Sequence, residues 1–251
     1  MSLASQNPSA LGLSQAPLML VAPSDVLRRA ADTGRYGWTL GAILLLITLI
    51  GWVTVQTGLV DRQVDRQTGL ALKTLEREQI DLLSRTELAD RMQTVREAGQ
   101  FMKLIHRGTA IVAAPIVLVA SLMLIAAVLF AVVALAGQKA DYSTLMAICT
   151  YAAVVDLLAA GLRLAMMIAY RTIHVDTSLA LVVPLTENTR IIKAALTGID
   201  PFAAWFWLLL GLGLMVSGQL SRRAATVTCV SFFVVGCLVR SGAAIAAVLS
   251  T

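Results

Sequence analysis

Residues 197–223 read TGIDPFAAWFWLLLGLGLMVSGQLSRR, and this stretch decides the fold. The 21 residues that follow Asp200 carry no charge, and a helix needs ~20 such residues to cross a bilayer. Asp200 is suited to cap this helix, and Pro201 to occupy its first position. Aromatic rings follow at one end and Arg222 and Arg223 stand at the other, as at the two interfaces of a membrane. The stretch therefore predicts a transmembrane helix.

Small residues along this helix predict close packing by a neighbouring helix. Gly211 and Gly218 are seven residues apart, and Gly213 and Ser217 make a small-xxx-small step. Residues of this size let helix backbones approach each other within a bilayer. We expect these four to be helix-packing positions, because none of them brings a group that could do chemistry.

The composition of the whole chain indicates a membrane protein. Hydrophobic residues make up 58% and charged residues 14% of the 251 positions, and the mean hydropathy is +0.79. A soluble domain of this size is far less apolar. In lipid, only helices and closed barrels can satisfy the hydrogen-bonding groups of the backbone. The long apolar runs of this chain lack the alternation of apolar and polar residues that is typical of barrel strands. We predict an all-α, polytopic protein: a five-transmembrane-helix bundle.

The apolar runs divide the chain into four predicted segments. These are an N-terminal tail and interfacial helix at 1–36, a first span at 37–60, an extramembrane helical section at 61–107, and a four-helix transmembrane core at 108–251. The interfacial helix is expected over Asp25–Thr33 after a Ser24 cap. The spans of the core are expected at 108–138, 142–170, 201–221 and 224–250. A kink is expected near Pro115 in the second span.

The polar section between the first and second spans has the mixed charge of solvated helices. Ser84 and Glu87 have the spacing of a capping box, and apolar residues then recur at helical spacing. The stripe includes Leu88, Met92, Val95 and Met102. It is interpreted either as a partner surface or as a face that packs on a sister helix or on the membrane surface.

Three charged residues inside the predicted spans are the unusual chemistry of this sequence: Asp156, Arg163 and Arg240. A charge at the bilayer centre costs about 2.5–3.5 kcal/mol, so each should face a partner or a water-filled cavity. Asp156 and Arg240 lie near the middle of their spans, which predicts an ion pair that fixes the packing of spans three and five. The alternative is a proton or ion relay, or an anion site, formed by the same residues.

Sequence motifs give no support for catalysis. There is no phosphate-binding loop, no zinc-protease motif, no nucleophile elbow and no carboxylate pair spaced for acid–base work. His106 and His174 lie at span edges without metal-ligand spacing. We therefore expect no catalytic residue, no metal and no cofactor. No basic cluster with interleaved aromatic residues indicates a nucleic-acid partner.

The arrangement of spans resembles a bacterial Yip-family (Ypt-interacting-protein) membrane domain. The residues that carry the likeness are Ile199-Asp200-Pro201-Phe202-Ala203-Ala204-Trp205 at the fourth span, with Tyr151 in the family's tyrosine position in the third. Arg240 stands where a basic residue is familiar, and the polar section at 61–107 is similar to that of the bacterial branch. Pro201 departs from the more usual apolar residue after the Asp. The family-motif residues are therefore Tyr151, Asp200, Phe202 and Trp205.

This resemblance implies a non-enzymatic integral membrane protein in the bacterial cytoplasmic (inner) membrane. Some bacterial relatives accompany MacB-type ABC exporters as accessory subunits, which implies an accessory or scaffold subunit whose partners are the lipid bilayer and other integral membrane proteins, or a second copy of the chain. The alternative is a small transporter or channel using Asp156, Arg163 and Arg240. Outside the polar section, six basic residues flank the spans on the N-terminal side of the membrane and three on the other, which predicts a cytoplasmic N-terminus.

Overall fold

The computed structural model describes residues 22–79, 84–172, 175, 177–184 and 189–249, and in these residues the secondary structure is helical without strands. The predicted all-α class is therefore confirmed. The α-helices, in chain order, are α1 Pro23–Thr33, α2 Gly37–Gln56, α3 Leu59–Gln79, α4 Arg85–Gly108, α5 Ala114–Leu135, α6 Tyr142–Ala152, α7 Val154–Tyr170, α8 Arg190–Leu196, α9 Pro201–Val216 and α10 Arg222–Leu249. A π-helical segment, Thr109–Ala113, joins α4 to α5, and a 3₁₀ turn, Leu179–Val182, precedes α8.

Five helical runs in the described part of the chain are long and apolar enough to cross a membrane. They are Gly37–Gln56, Thr86–Leu135, Tyr142–Tyr170, Arg190–Val216 and Arg222–Val248. The five predicted spans are therefore confirmed. The polar helix α3 lies between the first and second runs, and the polar helix α4 forms the first part of the second run.

The chain forms two compact units, and the boundaries between them fall inside three of the spans. One comprises the described residues of Met1–Leu46, Leu118–Arg163 and Asp176–Thr251, and the other comprises those of Ile47–Val117 and Leu164–Val175. The segments predicted from the sequence follow the expected membrane boundaries instead, and they stay predictions. Of the predicted N-terminal tail, residues 1–21 lie outside the described residues.

The core of the first unit is built around α6, α9 and the short helix α1. Every residue of α6 from Thr144 to Ala152 is buried, and α1 packs on both α6 and α9. Val26, Leu27 and Ala30 of α1 are 3%, 0% and 0% exposed. The apolar face of α1 is thus covered by protein, and the interfacial position of this helix stays a prediction.

The N-terminal end of α1 differs from the sequence-based expectation. Ser24 does not cap the helix, which begins at Pro23 with no side-chain cap. The C-terminal end is held by α6, because the Ser143 hydroxyl donates to the Gly34 carbonyl at 3.0 Å. An amphipathic helix of this length has the same pattern whether lipid or protein covers its apolar face, and the sequence could not distinguish the two.

The second unit contains the antiparallel hairpin of α3 and α4. The predicted capping box is present: Glu87 N–H donates to Ser84 Oγ at 3.3 Å, and Ser84 N–H donates to Glu87 Oε2 at 3.1 Å. Across the hairpin, Lys103 pairs with Asp65 at 2.6 Å, and Arg107 pairs with Asp61. One side of each helix therefore packs on its sister, and the ion pairs repeat at a spacing of one helical turn.

Two spans end earlier than their uncharged runs because a glycine adopts a left-handed conformation. Gly58, with φ of 66°, follows the end of α2, and Gly218, with φ of 71°, follows the end of α9. Only glycine takes this conformation without steric cost, and it commonly ends helices. Absence of charge predicts where a helix can lie in a membrane, but the backbone decides where it stops.

The π-helical segment Thr109–Ala113 lies just before Pro115, where the kink expected from the sequence stays a prediction. Proline has no N–H for the carbonyl of Ile111, four residues earlier, and its ring crowds that carbonyl. A neighbouring helix comes very close here: a Cβ added to Gly51 of α2 would lie 2.2 Å from the carbonyl oxygen of Ala110. The glycine of α2 therefore accommodates the irregular backbone of the π segment.

Candidate functional site

Asp200 immediately precedes α9 and is the one charged side chain among the described residues that is buried, at 7% exposed. Its Oδ1 accepts the N–H of Phe202 at 2.9 Å, which makes it the N-cap of α9, with Pro201 following at the first helical position. An acidic side chain here also interacts favourably with the positive end of the helix dipole. The capping role predicted for Asp200 is confirmed.

Arg163 of α7 joins Asp200 to a third segment. Its Nη2 donates to Asp200 Oδ2 at 3.0 Å, and its Nε donates to Thr177 Oγ1 at 3.1 Å. One guanidinium therefore ties α7, the loop before α8 and the start of α9. We call Arg163, Thr177 and Asp200 the Arg163 clamp.

The predicted ion pair between Asp156 and Arg240 is wrong: both residues are described, and the two do not form an ion pair within 4.0 Å. Arg240 is exposed on α10, and Asp156 is half-buried. Of the three predicted charges, only Arg163 forms an ion pair among the described residues, and its partner is Asp200.

Sequence reasoning missed the clamp because it treated Asp200 only as a helix cap. A signal was present in the order of the spans. Span three ends shortly after Arg163 and span four begins at Asp200, and antiparallel neighbours bring such ends to the same depth. The equal depth of Asp156 and Arg240 in the membrane was weaker evidence for an ion pair. Depth alone does not determine which neighbouring helix each side chain faces.

Span three is interrupted beside Asp156. α6 ends at Ala152, α7 begins at Val154, and the N–H of Asp156 donates to the carbonyl of Ala153 at 3.0 Å. Asp156 therefore lies in the first turn of α7, where the helix dipole favours a negative charge. A continuous apolar run gave no sign of this interruption.

Two of the four predicted helix-packing positions, Gly211 and Gly213, lie where helices meet in the first unit. A Cβ on Gly213 would lie 2.4 Å from Cγ2 of Ile148 in α6, and one on Gly211 would lie 3.3 Å from Sγ of Cys229 in α10. Ser217 is the C-cap of α9. Gly218 lies beyond the helix, and no described residue lies within 4 Å of a Cβ placed there. Its predicted packing role is therefore wrong, and it ends the helix instead.

The motif residues occupy the same unit, and Tyr151 is deeply buried at 2% exposed. Phe202 and Trp205 are half-buried in the first turns of α9. The neighbouring Trp207 stacks on Phe232 of α10 with ring centroids 5.6 Å apart. Trp207 and Phe232 thus pack α9 against α10. The family-motif role of Tyr151, Phe202 and Trp205 stays a prediction.

The apolar stripe of the hairpin is divided between two environments. Leu88, Met92 and Val95 are half-buried, as expected of side chains near a sister helix. Met102 is 44% exposed, beside Phe101 at 63%. The exposed end near the membrane is therefore the part of the stripe that remains available to a partner.

A sequence model of the Yip1 domain matches residues 17–241, which is most of the chain and includes the Arg163 clamp and all four motif residues. The chain belongs to the Yip1 family. Searches of curated proteins and of solved structures gave no match. The Yip1 family is a non-catalytic membrane family, and this multi-pass chain is one of its members. Among the described residues, no three His, Cys, Asp or Glu side chains are grouped so as to hold a metal ion, and His174 lies outside that part of the chain.

Proposed function

We propose that the chain is a non-enzymatic accessory or scaffold subunit that acts through other integral membrane proteins, of which a MacB-type ABC exporter is the first candidate. The observation that supports it is the Arg163 clamp. In this clamp Arg163 binds Asp200 and Thr177, and Asp200 caps a helix, so these polar groups are used to hold helices together. Membership of the Yip1 family supports the same role. Any ATP-driven work would then belong to the partner, and we place the assembly in a bacterial cytoplasmic membrane.

The exposed surfaces support a role in contacts between membrane proteins. α10 carries exposed large apolar side chains along its length, including Val227, Val234 and Leu238. The exposed end of the hairpin, Phe101 and Met102, offers a second apolar surface beside the second span. Lipid and partner proteins can both cover such surfaces.

Purification of the tagged full chain in mild detergent, followed by mass spectrometry, tests the proposal. We expect an ABC exporter to co-purify, and tagging that exporter should recover this chain in return. A double substitution of Phe101 and Met102 by Gln should reduce recovery if the hairpin docks, whereas the control Gln93→Ala, on an exposed side chain of the same helix, should not. A reproducibly solitary monomer would contradict the accessory role, and a homo-oligomer alone would replace the exporter by a second copy.

A second candidate function, a small transporter or channel, is favoured by the helix interruption at Ala153 beside Asp156. Transporters commonly place binding groups at interrupted helices near the bilayer middle. Liposomes containing the purified chain would then take up protons or an anion, and Asp156→Asn would abolish uptake. Equal uptake by both proteins, or none by either, contradicts this second function.

A further inference from the structure

A cavity of about 380 Å³ lies within the second unit, where the end of α2, the start of α3, the end of α4 and the π segment meet. Its size is in the range of small-molecule sites, roughly 300–1,000 Å³. Its lining includes Thr54, Gln67, His106, Thr109 and Met167. None of these residues takes part in the Arg163 clamp.

The lining of this cavity has a polar side and a more apolar side. Gln67 and His106 come from the extramembrane hairpin, whereas Thr54 and Met167 come from apolar helices of the spans. The cavity therefore lies where the polar section joins the predicted membrane region. A molecule with an apolar body and a polar head matches this division.

The electrostatics of the lining favour an uncharged polar head. Among the described residues, no Asp, Glu, Lys or Arg lines the cavity. The nearby cations of α4, Lys103 and Arg107, are already paired with Asp65 and Asp61. A phosphate or carboxylate would therefore have to compete with Asp65 and Asp61 for these two cations.

The hydrogen-bonding groups of the lining are those that a hydroxyl group requires. The Thr54 hydroxyl donates to the Ile50 carbonyl at 2.8 Å, and the Thr109 hydroxyl donates to the Ile105 carbonyl at 2.8 Å. Each threonine oxygen can still accept a hydrogen bond. The amide of Gln67 can donate and accept. A ligand hydroxyl can also donate and accept, so it can bond both to a threonine oxygen and to the Gln67 amide.

The π segment contributes Thr109 and Ala110 to this lining. Short π segments inside α-helices cost stability and occur frequently at functional sites. Here the segment is accommodated by the close approach of Gly51. The irregular backbone thus forms part of the cavity wall.

We propose that this cavity, defined by Thr54, Gln67, His106, Thr109 and Met167, binds the uncharged, hydroxyl-bearing head of a membrane lipid. Diacylglycerol and glycosyl diacylglycerols share this chemistry, through a glycerol hydroxyl in one and sugar hydroxyls in the other. The inference does not depend on the proposed accessory role.

The test uses the purified full chain in phosphatidylcholine nanodiscs, with photoreactive diacylglycerol, monoglucosyl diacylglycerol and phosphatidic acid as separate probes. We expect saturable labelling of the cavity by a neutral probe and little by phosphatidic acid. Thr109→Val and Gln67→Leu should each weaken neutral-lipid labelling about fivefold to tenfold, the effect of losing one hydrogen bond. Which neutral probe binds identifies the source of the hydroxyl.

Matched controls come from α4. Thr94 donates to the Asp90 carbonyl at 2.9 Å in the geometry of Thr109, and Gln93 is exposed on the hairpin. Thr94→Val and Gln93→Leu should leave labelling unchanged. Met167→Phe, which fills the cavity without removing a polar group, should also block labelling and covers the case in which Thr109→Val fails to fold.

Three results would overturn the proposal. The first is labelling by phosphatidic acid that equals or exceeds that by the neutral lipids. The second is loss of labelling in the control variants to the same degree as in the cavity variants. The third is the absence of saturable labelling by either neutral probe.

Discussion

At the scale of single residues, Asp200 has two roles that substitutions can separate. Its Oδ1 caps α9 and its Oδ2 binds Arg163. Asn caps a helix about as well as Asp, but it carries no charge and cannot form the ion pair with Arg163. Ala can neither cap the helix nor form the ion pair. We expect unfolding temperatures in the order wild type, Asp200→Asn, Asp200→Ala, with loss of the cap alone costing about 1 kcal/mol.

The protein contains its own probes for this measurement, because Cys149 and Cys229 are buried. A thiol-reactive dye added during heating in detergent would report their exposure. Glu97→Gln, on an exposed side chain of α4, is the control and should match wild type. If Asp200→Asn and Asp200→Ala unfolded at the same temperature, Asp200 would not be acting as the cap.

A second residue, Asp61, predicts how stability depends on pH. The hydrogen bonds from the Arg107 guanidinium hold the pKa of the Asp61 carboxyl below its ordinary value of 3.8. A lowered folded-state pKa means that the interaction stabilises the protein above pH 3.8 and that this contribution is lost as the pH falls through the folded-state pKa. We expect wild type to unfold at a higher temperature than Asp61→Asn at neutral pH. The difference should shrink in acid, and a difference independent of pH would contradict this assignment.

At the scale of elements, the contact between α2 and the π segment requires a glycine. A Cβ on Gly51 would lie 2.2 Å from a backbone oxygen, a distance that demands a backbone shift, whereas one on Gly41 of the same helix would meet nothing within 4 Å. We expect Gly51→Ala to lower the unfolding temperature clearly and Gly41→Ala to leave it unchanged or raise it slightly, because Ala favours the helical state. Equal behaviour of the two variants would show that the contact does not hold the elements together.

The sequence could predict those elements whose signal lies within a few residues. Length and apolarity determine the five spans, and the Ser84 capping box depends on residues three apart. The burial of α1, the interruption at Ala153 and the pairing of Arg163 depend on which helices become neighbours. The periodicity of apolar residues does not reveal which helices become neighbours, because lipid and protein cover an apolar face equally well.

At the scale of the whole molecule, the proposed orientation places the hairpin outside and the loop between α5 and α6 inside. The basic residues near the span ends favour this arrangement. A cysteine introduced for the exposed Gln93 of α4 should therefore react with a membrane-impermeant thiol reagent in intact cells. One introduced for the exposed Gln138, after α5, should react only after the membrane is opened. The unsubstituted chain supplies the baseline for its three native cysteines, Cys149, Cys229 and Cys237. The reverse pattern would place the N-terminus outside and the hairpin in the cytoplasm, where it would meet the nucleotide-binding parts of an exporter rather than the extracytoplasmic ones.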